Sequence, residues 1–127
     1  MDKVVHFEIP YNDAGRATKF YSEVFDWDIE AVPEMNYHMV RTVEVDKKRM
    51  PKVKGAINGG MFKRDGLLKG PLITIDVKDI EDTIEKIEEN GGKVVREKMN
   101  IGDMGYVAYF SDSEGNIVGL WETMKKS

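Results

Sequence analysis

The chain carries one pattern twice. "VVHFEIP" alternates as a strand does and leads into "DAGRATKFYSEVF", where Ala17, Phe20, Tyr21 and Val24 recur at helical spacing. Three stretches rich in β-branched and aromatic residues follow: "WDIEAV", "YHMVRTVEV" and "KGAINGGMF". After "KRDGLLKGP", broken by Gly, Pro and charge, the order returns. "PLITIDV" is strand-like, and "DIEDTIEKIEENGG" sets Ile80, Ile84 and Ile87 on one helical face. "KVVREKM", "GYVAYFSD" and "NIVGLWE" complete it. Asp13 falls on Asp79 and His6 on Leu72, an offset of 66 residues. Both aspartates stand where a helix N-cap belongs. Near the ends of the halves, "INGGMF" lies over "IVGLWE", so Gly59 meets Gly119 and Met61 meets Trp121.

A repeat this long is a duplicated supersecondary unit, because solenoids use shorter and more numerous repeats. The sequence therefore predicts an α+β fold of two tandem β-α-β-β-β modules. They form a curved mixed sheet around a cleft, with the helices outside. Module one runs over about 1–63, the linker over about 64–70 and module two over about 71–123, within a single domain of 127 residues. Strand alternation puts Val5, Phe7 and Ile9 towards the helix. It leaves His6, Glu8, Leu72, Thr74, Ile117, Gly119 and Trp121 for the cleft.

Composition narrows the partners. A net charge of −4 argues against a nucleic-acid surface, which needs a clustered positive field. The basic run "DKKRMPKVK" reads as a solvated hairpin loop. With no cysteine, there is no disulfide, thiolate-held zinc or thiol nucleophile. No apolar run approaches the roughly 18 residues of a membrane span. The opening residues go straight into strand pattern without the order of an export signal. A cytoplasmic protein is expected.

Taken together and in this order, "VVHFEIP", "RATKFYSEVF.W", "GAINGG", "IDVKDIEDTIEKIEENGGKVV" and "AYFSDSEGNIVGLWE" resemble the glyoxalase/bleomycin-resistance/dioxygenase superfamily, also called vicinal oxygen chelate proteins. The likeness covers nearly the whole chain and is strongest to a subgroup described as related to lactoylglutathione lyase. Ser113 stands where that subgroup usually has Pro in its last turn. The resemblance implies a divalent ion held by His, Glu or Gln from the first and last strands of each half. His6 matches the first of these positions. Leu72 and Gly119 occupy two others and offer no donor. The fourth is Gly59, or Asn58 if the register slips by one. A divalent ion needs several oxygen or nitrogen donors, so no metal or other cofactor is expected, and His6 is a vestige of the site.

What remains is space and one polar pair. Glycines inside strands mark a close approach of backbone or ligand, although Gly60 alone suits a bulge or tight packing. A ligand pocket is expected from Asn58, Gly59, Gly60, Met61, Leu72, Thr74, Tyr106, Tyr109, Gly119 and Trp121. Trp121 suits core or dimer packing equally. His6 and Glu8 share a strand face, so the carboxylate could raise the imidazole pKa and make it an acid/base group. They are the candidate catalytic residues, with a solvated polar pair as the plainer reading. Alternation sends Glu122 away from the cleft, and His38 receives no role. No nucleophile elbow or phosphate loop is present. The sequence leads to a small-molecule binder of undefined ligand, or to a related lyase or dioxygenase using His6 and Glu8, with or without a divalent metal. A homodimer is expected, with Trp27, Tyr37 and Met39 as contact candidates.

Overall fold

The computed structural model describes residues 1–33 and 35–124. The element order is β1 (Val4–Tyr11), α1 (Ala14–Phe25), β2 (Asp28–Ala31), β3 (Tyr37–Arg41), β4 (Asn58–Lys63), β5 (Leu72–Asp76), α2 (Ile80–Glu89), β6 (Lys93–Ile101), β7 (Gly105–Ser111) and β8 (Ile117–Thr123). This is β-α-β-β-β twice, and the class is α+β. Two compact units divide the chain: His6–Pro71, and Met1–Val5 with the residues from Leu72 on.

In the first unit β2, β3 and β4 are antiparallel neighbours, and β4 runs parallel to β1. The second unit repeats the scheme, with β6, β7 and β8 antiparallel and β8 parallel to β5. In each, the parallel pair follows from the helix, which carries the chain back in the direction of the first strand.

Both helices start as the sequence dictates. Asp13 accepts from the Arg16 amide at 2.8 Å, and Asp79 accepts from the Asp82 amide at 2.9 Å. α2 ends in a left-handed Gly91, after which the Gly92 amide returns to the Ile87 carbonyl at 2.9 Å. α1 ends differently, on Asp26 in the left-handed region.

Each unit has one apolar core between helix and sheet. In the first, Tyr11, Val40 and Met61 are buried with Phe7, Ile9, Ala17 and Tyr21 against them. In the second, Val77, Ile80, Ala108 and Leu120 are buried with Ile75, Ile84, Ile87 and Phe110. The helices differ in how much they bury. All of the α2 isoleucines join the core, but Phe20 and Val24 of α1, which share the helical spacing of Ala17 and Tyr21, remain 55% and 56% exposed.

β3 stops at Arg41 rather than running through "TVEV". The reason is Asn58. Its Oδ1 accepts from the Thr42 amide at 2.8 Å and the Val43 amide at 3.1 Å, taking the place of a ladder carbonyl. The basic run is an exposed loop, pinned where Val45 bridges Pro51 and where Asp46 accepts from the amides of Lys48 and Met50. Those bonds hold the Asp46 carboxyl below its usual range. The turn with Ser113 in place of Pro closes normally, as Asp112 accepts from the amides of Glu114 and Asn116. No described helix is long and apolar enough to cross a membrane.

Candidate functional site

Register decides which side chains of the first unit share a face. His6 stands beside Asn58, Phe7 beside Gly59, Glu8 beside Gly60 and Ile9 beside Met61. On the far side of β4, Tyr37 stands beside Phe62, His38 beside Met61 and Met39 beside Gly60. The face away from α1 therefore carries His6, Glu8, Tyr37, Met39, Asn58, Gly60 and Phe62. The α1 face takes Phe7, Ile9, Gly59, Met61, His38 and Val40.

This sorting corrects two of the expected pocket residues. Met61 is fully buried in the core beneath α1. Gly59 lies on the same side, where a Cβ would strike the ring of Phe7 2.7 Å away. Its missing side chain makes room for Phe7 and leaves no pocket floor.

Gly60 has a different neighbour. Tyr37 lies flat over it, so that any Cβ there would fall inside the phenol ring and its hydroxyl. Stretched across Gly60, the Tyr37 hydroxyl reaches Nε2 of His6 at 2.9 Å. Glu8, only 5% exposed, lies two residues along the same strand. Burial lowers the His6 pKa, and the Glu8 charge, which raises it, is the smaller effect. The net direction is the reverse of the expected one, because the imidazole loses more from desolvation than it gains from the carboxylate. At neutral pH His6 is an uncharged imidazole held by a phenol.

Asn58 is fully engaged. Besides the two backbone amides, its Oδ1 accepts from the Thr42 hydroxyl at 3.2 Å, while its Nδ2 donates to the Val43 carbonyl at 3.3 Å. An amide spent on four contacts has no lone pair to turn towards an ion.

The second unit places its residues as follows. Thr74 stands beside Gly119, Asp76 beside Trp121, and Gly119 beside Tyr109. Leu72, Thr74, Tyr109, Gly119 and Trp121 thus share the face away from α2. Tyr106 does not. It stands beside Glu122, packs on the α2 core, and carries the Lys98 ammonium 4.3 Å above its ring. Space at Gly119 is also limited, since a Cβ there would lie 2.8 Å from the Thr74 hydroxyl. The Trp121 ring is seated over Gly105, where a Cβ would lie 2.6 Å from Cζ2, and its Nε1 donates to Thr123 at 3.1 Å.

Glu122 lies on the α2 face, as alternation requires. Its carboxylate accepts from the Ile80 amide at 2.8 Å and pairs with Lys98 at 3.6 Å, so it caps a helix. His38 faces the first core edge-on to Tyr11, and its Nδ1 is buried without a hydrogen-bond partner among the described residues.

These placements do not fit a bound divalent ion. His6 Nε2 is taken by Tyr37, Asn58 is spent on the backbone, and Leu72 and Gly119 supply nothing. Among the described residues no three His, Asp or Glu side chains gather as a metal site would require. A separate open pocket of about 530 Å³ is lined by Asp28, Arg41, Thr42, Val43, Glu44, Val45 and Lys52, none of them an expected site residue.

Sequence reasoning missed Tyr37 as a site residue. A signal existed in the strand order alone: an aromatic in one strand and a glycine in the next, both on the histidine's face, allow a ring to cross.

The sequence model described as "Glyoxalase/Bleomycin resistance protein/Dioxygenase superfamily" matches residues 3–120. A glyoxylase-like domain-containing protein of Didymella fabae is 32% identical over 114 residues, which covers 86% of this chain and 84% of that protein. Among solved structures, a glyoxalase/bleomycin resistance protein/dioxygenase superfamily member from Vibrio splendidus superposes with a TM-score of 0.61 at 14% identity, covering 98% of this chain and 100% of that one. A Streptomyces coelicolor methylmalonyl-CoA epimerase does so with a TM-score of 0.64 at 15% identity, covering 97% and 98%.

Proposed function

Because this chain belongs to the glyoxalase/bleomycin resistance protein/dioxygenase superfamily, we propose that it binds a small organic molecule without a resident divalent ion. The His6–Tyr37 pair is the polar contact in this reading, and the setting is the cytoplasm. The single observation that carries it is the state of His6 and Asn58. His6 is bonded to a phenol at 2.9 Å, and Asn58 holds the chain after β3. A neutral imidazole and a phenol suit the recognition of a carbonyl, carboxyl or hydroxyl group.

The test is a metal titration joined to a ligand screen. Zinc, nickel and manganese leave the melting temperature unchanged, because an ion that does not bind the native state cannot stabilise it. His6→Ala leaves the metal content of the purified protein unchanged. A stoichiometric ion that survives dialysis and disappears in His6→Ala overturns the reading. In the screen, small carbonyl and carboxylate compounds shift the His6 ring resonances of the wild type.

A second reading has its own support. An uncharged imidazole beside a buried carboxylate is the raw material of general base chemistry. Under that reading the chain is an acid/base enzyme using His6 and Glu8. Turnover of a 2-oxoaldehyde hemithioacetal that falls at least about a hundredfold in both His6→Gln and Glu8→Gln would favour it, that being the usual scale of a positioned proton-transfer group.

A further inference from the structure

The basic run is more ordered than a solvated loop needs to be. From Asp46 to Lys54 five of nine residues are Lys or Arg, against one acid. That acid faces the backbone of the turn. Asp46 accepts from the amides of Lys48 at 2.8 Å and Met50 at 3.0 Å, its own amide donates to the Met50 carbonyl at 2.8 Å, and the Arg49 amide donates to the Asp46 carbonyl at 3.0 Å. Below the turn Val45 bridges Pro51, and the Lys52 amide donates to the Glu44 carbonyl at 2.8 Å. The result is a short hairpin with Lys47, Lys48 and Arg49 exposed at its tip.

Two apolar side chains stand among these cations. Met50 is 54% exposed and Val53 55%. Among the described residues neither packs on either core. Water rewards the cations of such a segment and not the apolar pair. A surface that is anionic outside and apolar just beneath rewards both.

We infer that the hairpin from Asp46 to Lys54 is a docking surface for an anionic lipid bilayer, with its cations at the headgroup phosphates and Met50 and Val53 at the acyl boundary. Charge and apolarity together select this partner. Each Lys or Arg near an anionic leaflet raises affinity about fivefold, and its aliphatic stem lets the charge stay in the headgroups while the chain sits deeper. Met50 and Val53 add the apolar burial that an interfacial segment uses. A nucleic acid would engage the cations but give those two side chains no role. The net charge of −4 does not oppose docking, because the Debye length is about 8 Å at physiological salt and a bilayer responds to the charges nearest it. Nor does Glu44 withdraw Lys52, since their pair at 3.6 Å, with side chains 87% and 56% exposed, is weak. One polybasic patch is a single anchoring signal, so attachment is reversible and salt-sensitive.

The experiment is co-sedimentation of the whole chain with vesicles of phosphatidylcholine alone, or of phosphatidylcholine and phosphatidylglycerol in equal parts, at low and at physiological salt. The wild type pellets with the anionic vesicles only, and less so as salt rises. Lys47→Gln with Lys48→Gln lowers the partition coefficient about twenty-five-fold, about fivefold for each charge. Met50→Ser lowers it about tenfold, as withdrawal of one apolar side chain from the boundary does. Lys78→Gln with Lys93→Gln removes the same charge elsewhere and leaves partitioning as it was. Thermal melts without vesicles that match the wild type establish that each variant is folded. A wild type that ignores anionic vesicles at low salt overturns the inference. So does an equal loss from the Lys78 and Lys93 pair, a Met50→Ser variant that binds like the wild type, or tighter binding to duplex DNA than to the anionic vesicles at the same salt.

Discussion

Tyr37 lies where it does because Gly60 has no side chain, and this makes a prediction at the level of one methyl group. Gly60→Ala pushes the ring away and breaks the bond to His6. Forcing a methyl into a filled space costs about 1–3 kcal/mol. Tyr37→Phe removes only the hydroxyl and costs about 0.5–1.5 kcal/mol. Urea denaturation of both variants and of Gly60→Ala in a Tyr37→Ala background checks this, and the alanine at position 60 is expected to cost less once the ring is gone. Asn58 yields a second prediction. Asn58→Ala strips acceptors from the amides of Thr42 and Val43 and lowers stability by about 1–3 kcal/mol, the cost of unsatisfied part-buried groups. The same denaturation measures it, and metal content does not move. Single residues were only half legible beforehand. A period of two placed His6 and Glu8 on one face, but it could not weigh burial against a neighbouring charge. Gly59, Met61 and Tyr106 were assigned to the wrong face because the register of one strand against the next is a tertiary fact.

Among the elements, α2 and its cap illustrate how a strand can finish a helix. The Glu122 carboxylate takes the Ile80 amide and also meets Lys98, which bridges on to Glu81 at 3.6 Å. Burial works against the charge on Lys98, but the carboxylates of Glu122 and Glu81 outweigh it and raise the lysine's pKa. Glu122→Ala leaves the Ile80 amide without its acceptor, and the expected loss is about 1–2 kcal/mol, as for a missing cap. Glu122→Gln keeps an acceptor and loses less. Comparing the thermal melts of the two separates hydrogen bond from charge. Both helix starts could be read from Asp13 and Asp79, since an N-cap needs only a short acceptor at the right place. The end of α1 could not, because a non-glycine residue takes the left-handed position there. Nor could the exposure of Phe20 and Val24. An apolar stripe states which residues avoid water, not whether a sheet or another chain covers them.

For the whole molecule the duplication was the most legible feature, because it rests on an ordered series of patterns rather than on any one of them. The pH dependence of stability also belongs at this scale. His6 titrates below its ordinary value of 6.5 when folded. Above that pH the imidazole is neutral in both states and contributes no slope. As pH falls below it, the unfolded chain takes up a proton that the native chain refuses. Stability therefore declines until the folded pKa is passed, and then levels off. Denaturation from about pH 8 to about pH 5 should show this decline in the wild type and a shallower one in His6→Gln. The two tryptophans allow such curves to be followed in more detail. Trp27 lies in the first unit, stacked on Tyr21, and Trp121 lies in the second, over Gly105. Each half thus contains its own fluorophore. Trp27→Phe and Trp121→Phe give two single-tryptophan chains whose emission reports on one repeat at a time. If the halves melt together, the two traces coincide, and if the duplicated ancestors keep separate stabilities, they part.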